Sequence, residues 1–172
     1  PQKMPHCIEL CSGGGIASIG LHEAGFTSVG FDYCAKAVRT ASNNGHNSVQ
    51  LDLTRNDALD IIRAHTKTPQ MIWASPPCQG YSLASNACSE KKSARNNLTR
   101  ACCEIIRSIG PSVFVIENVM SARCHPEFQD SVDLLKAQYH TVEMCLDAAK
   151  MPEARVPQRR RVGLARQLEE TP

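Results

Sequence analysis

Short apolar runs alternate along the chain with stretches whose apolar residues recur every three or four positions. HCIELC (6–11) reads as a first strand, followed by a glycine turn and a helix over 16–24. SVGFD (28–32) and SVQLD (48–52) are further strands, with helices over 34–43 and 55–65 after them. The second of these helices carries Ala58, Ile61 and Ile62 at helical spacing. QMIWAS (70–75) and SVFVIENV (112–119) make a fourth and a fifth strand, with a helix over 97–109 between them. A helix over 127–138 leads to HTVEMCLD (140–147), and RVGLAR (161–166) closes a final hairpin.

Strands separated by helices of this length predict βαβ units, so the expected class is α/β: a Rossmann-like, mostly parallel sheet with helices on both faces. The near-continuous apolar stretches 71–74 and 113–116 suit strands covered on both sides. No internal repeat, linker or domain boundary interrupts the pattern, so a single domain over 1–172 is expected. The polar stretch 79–96 offers no core-facing periodicity and reads as a long loop, a length that usually serves as an active-site lid.

Composition narrows the class. A chain of 172 residues can bury one core, and 42% apolar with 21% charged residues is the balance of a globular domain rather than a disordered one. No apolar stretch approaches the roughly 18–20 residues that span a bilayer, and no signal-peptide pattern opens the chain, so no membrane partner is expected. The chain begins with proline, with Met4 as the candidate native start. Nine cysteines are an odd number, and Cys102 and Cys103 are adjacent, which argues against a secreted disulfide framework. No cysteine or histidine spacing suits zinc, and no metal is expected. Reduced thiols in a cytosolic or nuclear compartment are the simplest account. The net charge of +2 is unremarkable, but Lys91, Lys92, Arg95, Arg100 and Arg107 cluster, as do Arg155, Arg159, Arg160 and Arg161.

In an open parallel sheet, ligands collect outside the carboxyl ends of the strands. Gly13, Gly14 and Gly15 fall there, after strand one, where a missing side chain lets a ligand approach the backbone. Their spacing is not G-x-G-x-x-G, which counts against NAD. Asp32 and Asp52 end the second and third strands. Each either accepts hydrogen bonds from an adenosine, through its ribose hydroxyls or its amino group, or caps the segment that follows. Beyond strand four, Pro76 and Pro77 stiffen the turn that presents Cys78. At the end of strand five, Glu117 closes the apolar run VFVI, a costly place for a carboxyl group without a partner or a use.

ELCSGGG, SPPCQGYS, IENV and VPQRRRV, in this order, closely resemble the motifs of the cytosine-C5 DNA methyltransferases. The resemblance runs from residue 7 to about 165. It implies S-adenosylmethionine as cofactor, S-adenosylhomocysteine as product, and duplex DNA with a flipped-out cytosine as partner. Cys78 matches the nucleophile that attacks C6 of the base, which makes C5 reactive toward a methyl group. Glu117 matches the glutamate that meets the N3 edge of the cytosine in its protonated form. Glu9, Cys11, Ser12, Gly13, Gly15, Asp32, Tyr33, Asp52, Leu53 and Pro76 fall on cofactor-binding positions, Asp32 at the ribose and Tyr33 beside the adenine. Gln79, Ser82, Lys91, Lys92, Arg95 and Asn118 fall on positions facing the substrate, with residues 79–97 as the lid over the DNA and Asn118 supporting the turn.

This chain departs from the family pattern at three points. Cys11 stands where the first motif carries a phenylalanine that packs on adenine. Q-x-R-x-R is one residue short. Counted back from the following strand, Arg159 and Arg161 take the arginine positions, with Arg161 at the cytosine O2. Finally, residues 167–172 cannot hold the target-recognition region and last helix that follow in the family, so the expectation is a catalytic core without its reader: a fragment, one half of a split enzyme that needs a second chain for recognition, or a member that does without. Two alternatives keep the motifs: a tRNA-type relative acting on RNA, and a catalytically silent regulatory module.

Overall fold

The computed structural model describes residues 4–66, 68–78, 89–147 and 159–167, the stretches 89–97 and 159–167 and residue 147 by their backbone. Seven strands form one sheet: β1 (His6–Leu10), β2 (Thr27–Asp32), β3 (Ser48–Gln50), β4 (Met71–Ala74), β5 (Val113–Val119), β6 (Tyr139–Asp147) and β7 (Arg159–Gln167). They lie in the order β3-β2-β1-β4-β5-β7-β6. The first five run parallel, in register Glu9↔Gly30 and Glu9↔Trp73 around β1 and Ala74↔Ile116 between β4 and β5. β7 enters antiparallel between β5 and β6. Because β1 lies beside both β2 and β4, the chain reverses direction across the sheet there. The carboxyl ends of β1 and β4 therefore flank a crevice.

Five helices connect these strands: α1 (Ile16–Glu23), α2 (Ala35–Asn43), α3 (Ala58–His65), α4 (Ser89–Ile109) and α5 (Pro126–Asp133). The main core lies on the sheet face beneath α3, α4 and α5. There Ile62, Cys102, Ile106 and Leu135 are fully buried against Ile8, Phe31, Ile72 and Phe114. Each of the large aliphatic side chains contributes about 1.5–3 kcal/mol by leaving water. Thr99, Cys102, Cys103 and Ile106 recur on α4 at three- and four-residue intervals, which is why this helix packs as it does. The Tyr139 ring meets Phe114 edge-on at 4.9 Å and donates its hydroxyl to the Pro111 carbonyl at 3.0 Å. Burial pushes that hydroxyl's pKa up to about 12. A smaller cluster of Cys7, Leu21, Met71 and Val115 occupies the α1 face.

The strand–helix alternation matches the expected α/β class. The largest correction concerns residues 89–96, which belong to α4 and not to a loop. Glu90, Lys91, Lys92, Ala94 and Arg95 are all good helix formers, and no glycine or proline interrupts them. A segment polar all round carries no apolar periodicity, so the pattern signal missed it. The rest of the expected lid, 79–88, lies outside the described residues. α5 ends at Asp133 rather than 138, its continuation closing in short turns from Leu135 to Val132 and Lys136 to Asp133. The segment 161–166 is the middle of a longer strand, β7, rather than only the arm of a hairpin, because it pairs with β5 as well as β6.

Candidate active site

The chain turns sharply after β1. Cys11 adopts φ +59°, Gly13 φ +55° and Gly15 φ +87°, so three of five residues are left-handed. At Gly15 a side chain would be excluded twice over, since its Cβ would also lie 2.7 Å from Cδ2 of His46. The turn is tied to β2 by the Ser12 N–H, which donates to the Phe31 carbonyl at 3.1 Å. Gly30 makes this approach feasible, because a Cβ there would sit 2.6 Å from the Ser12 hydroxyl oxygen. Gly30 escaped notice in the sequence, although an isolated glycine inside a strand is the signature of close backbone approach.

Asp32 joins the two loops that rim the turn. Its Oδ2 accepts from the Gly13 N–H at 2.8 Å and its Oδ1 from the Cys34 N–H at 2.9 Å. Asp32 thus ties the glycine turn to Cys34, the residue just ahead of α2, without capping the helix itself. Beneath the turn, Glu9 is buried and accepts from the Ser18 hydroxyl at 2.7 Å. Its second oxygen, Oε2, and the hydroxyl of Ser12 are buried without a hydrogen-bond partner among the described residues. Nothing in the sequence marked Ser18, whose importance comes from this contact alone. Cys11 points its sulfur at Cys102, 3.9 Å away. Tyr33 stands exposed beside Asp32.

At the end of β3, Asp52 accepts from both the backbone N–H and the hydroxyl of Thr54, at 2.9 and 2.7 Å. These bonds hold its carboxyl below the usual carboxylate range, the backbone N–H being the main cause. Asp52 thus stays charged well into acid. Leu53 is buried, and beside it a cavity of about 570 Å³ opens between this turn and α4, with Arg55, Arg100 and Glu104 on its walls.

β4 continues past Ala74 as the Ser75 N–H donates to the Leu10 carbonyl at 3.0 Å. Pro76 is buried, and Pro77 and Cys78 are half-exposed. Asn118, 3% exposed, donates from Nδ2 to the Pro76 carbonyl at 3.1 Å, while its Oδ1 accepts from the Val119 N–H. A side chain so enclosed and committed supports the turn that leads to Cys78. Asn118→Ala leaves the Pro76 carbonyl without its partner. It is expected to cost about 1–3 kcal/mol of stability, which chemical denaturation checks.

Glu117, half-buried, stands one residue beyond the last β4–β5 pair, at the same end of the sheet as Cys78. The β5–β7 register sets Val162 opposite Glu117, Arg161 opposite Asn118 and Arg160 opposite Val119, while Arg159 stands opposite Asp147 of β6. Lys91, Lys92 and Arg95 lie on the first turns of α4. Gln79 and Ser82 lie outside the described residues. Among the described residues, no group of three or more potential ligands suits a metal, and no helix is long and apolar enough to cross a membrane.

The family model for C-5 cytosine-specific DNA methylases matches residues 6–164. The chain is 33% identical over 146 residues to the type II methyltransferase M.HgiDI of Herpetosiphon aurantiacus, covering 83% of this chain and 46% of that one. M.HindV of Haemophilus influenzae is 31% identical over 146 residues, again 83% of this chain and 47% of the relative. With M.HgiGI of Herpetosiphon aurantiacus the identity is 35% over 119 residues, 67% of this chain and 91% of the relative. The chain thus spans about half the length of the first two. Among solved structures, the Entamoeba histolytica methyltransferase EhMeth superposes with a TM-score of 0.73 at 23% identity, covering 96% of this chain and 53% of that one. The S. pombe Dnmt2 methyltransferase superposes with a TM-score of 0.72 at 20% identity, covering 95% and 50%.

Proposed function

This chain belongs to the C-5 cytosine-specific DNA methylase family, and from that premise we propose that it is the catalytic core of a DNA (cytosine-5-)-methyltransferase working through a covalent Cys78–cytosine adduct. The carrying observation is that Cys78 after β4 and Glu117 on β5 stand at the carboxyl ends of adjacent parallel strands, beside the glycine turn that follows β1.

The turn fits S-adenosylmethionine. The unpartnered Oε2 of buried Glu9 is an acceptor that the cofactor's ammonium group could satisfy, as a buried carboxylate oxygen requires. Asp32 presents a charged carboxylate to ribose hydroxyls, and Asp52 and Leu53 rim the expected adenine end. Bound there, the cofactor supplies an electrophilic methyl group. The chain's own residues do the rest. Cys78 adds through its thiolate to C6 of the flipped base, the electron pair moving to C5 as Glu117 gives a proton to N3. After C5 has been substituted, its proton leaves to a base, the returning electron pair expels Cys78 from C6, and N3 gives its proton back to Glu117. Asn118 holds the turn that aims the sulfur.

We further propose that target recognition comes from protein outside residues 1–172, either more of the same chain or a second chain. Support comes from exposed apolar side chains: Val142 and Met144 share one face of the edge strand β6, and Ile16 and Ile19 lie on α1. Incubation with S-adenosylmethionine and duplex DNA containing 5-fluorocytosine, with a tRNA arm in parallel, tests the reading. A trapped adduct at Cys78 on the duplex is expected, because fluorine at C5 cannot leave as a proton does. No adduct, even with the recognition part added, overturns it, and an adduct on tRNA alone moves the substrate to RNA.

A further inference from the structure

Cys11 and Cys102 lie 91 positions apart in sequence, yet their sulfurs approach to 3.9 Å. One sits in the turn after β1 and the other midway along α4, the helix that follows the Cys78 segment. The two are unlike in access. Cys102 is 0% exposed, whereas Cys11 is half-exposed. Cys11 is also the one non-glycine residue with positive φ among the described residues, a conformation in which glycine would be at ease. Such local strain is typical of positions with a role beyond packing. The other core thiols lack this arrangement. Cys7 and Cys103 have their pKa pushed up to about 12, mainly by burial, and neither has a sulfur neighbour within bonding reach among the described contacts.

We propose that Cys11 and Cys102 are a disulfide-forming pair, a modification site at which a peroxide closes the cofactor turn onto α4. The consequence for ligand binding rests on the reading of that turn as the S-adenosylmethionine site. The Cys11 sulfur attacks one peroxide oxygen, breaking the O–O bond. It becomes a sulfenic acid and the first water leaves. The Cys102 sulfur then displaces the hydroxyl from Cys11, and the thiol proton departs with it as the second water. Two thiols lose two electrons in all, and hydrogen peroxide takes them up. Burial keeps the Cys102 thiol from the oxidant, so half-exposed Cys11 meets the peroxide first and Cys102, in contact with it, is the group left to resolve the sulfenic acid. Bringing the sulfurs from 3.9 Å to bonding distance draws the turn toward α4. A shift of this turn strains the neighbouring Gly13–Asp32 bond, 2.8 Å long in the thiol form, at the end where the adenosine is expected.

The test uses the full chain in a Cys78→Ser background, so that oxidation of the proposed nucleophile does not enter. Protein treated with hydrogen peroxide is alkylated, digested and read by mass spectrometry, and S-adenosylmethionine binding is measured before oxidation, after it, and after dithiothreitol. A peptide linking Cys11 to Cys102 is expected, with affinity reduced at least about tenfold and restored by reduction. Excess cofactor present during oxidation should block the link. Cys11→Ala removes the link, and Cys103→Ala keeps it. Recovery of Cys11 and Cys102 as unlinked residues overturns the proposal, as does a link that leaves affinity unchanged. Should reduced protein fail to bind S-adenosylmethionine while the link still forms, the dithiol site stands and the cofactor reading of the turn falls.

Discussion

Replacing Cys78 by serine is expected to abolish methyl transfer, lowering kcat on the order of 10⁴-fold or more, while the melting temperature and S-adenosylmethionine affinity stay at wild-type values. The separation follows from how the residue is held. The backbone before Cys78 is fixed by the Ser75 N–H on Leu10, by the burial of Pro76 and by the Asn118 amide on its carbonyl. None of these contacts involves the Cys78 side chain, so oxygen for sulfur changes one half-exposed atom and little else. What changes is nucleophilicity toward a ring carbon. A serine hydroxyl is a weak nucleophile at neutral pH unless a base activates it. Transfer of a labelled methyl group to duplex DNA, beside calorimetry and equilibrium binding, reads all three quantities. A serine variant that still methylates at a comparable rate would sink the covalent mechanism, and one that unfolds would show the thiol to be a packing residue.

The parts of this molecule that were legible beforehand are those written in local pattern. β1, β2, β4 and β5 are apolar runs bounded by turn residues, and their ends fall within about two positions of where the runs stop. Cys78, Glu117 and the glycine turn were legible because a parallel sheet brings the carboxyl ends of its strands together. Other features depend on partners remote in sequence. Ser18 matters because Glu9 is beneath it, Gly30 because Ser12 rests on it, and Cys11 because Cys102 arrives from α4. The first turns of α4 were hidden for a different reason. A helix polar on every side has propensity but no periodicity, and the periodic signal favoured a loop. Asp32 uses both oxygens of its carboxylate, one on the Cys34 N–H just ahead of α2 and the other on the glycine turn.

That double use makes Asp32 the second position where a small change should have a large effect. Asp32→Ala removes the acceptor for two backbone N–H groups at once, Gly13 at 2.8 Å and Cys34 at 2.9 Å. Both bonds are to a charged acceptor and both are partly shielded, so losing them should cost about 2–4 kcal/mol. At about 2–4 °C per kcal/mol for a domain of this size, the melting temperature should fall by roughly 5–15 °C. Asp32→Asn is nearly isosteric but should not rescue the loss. An amide has one oxygen, so it must turn its NH₂ toward either the Gly13 or the Cys34 N–H and set donor against donor. The functional loss comes by two routes: the turn is no longer pinned to β2, and ribose hydroxyls lose a charged acceptor. S-adenosylmethionine affinity should therefore fall by about a hundredfold, equivalent to about 2.7 kcal/mol, in both variants. If the carboxylate served only to hold the Cys34 N–H, Asp32→Asn would approach wild-type affinity once folded, because the remaining oxygen could still accept that bond. Calorimetry of both variants with equilibrium binding below their melting temperatures separates the two roles. Unchanged affinity in the folded asparagine variant would place the ribose elsewhere.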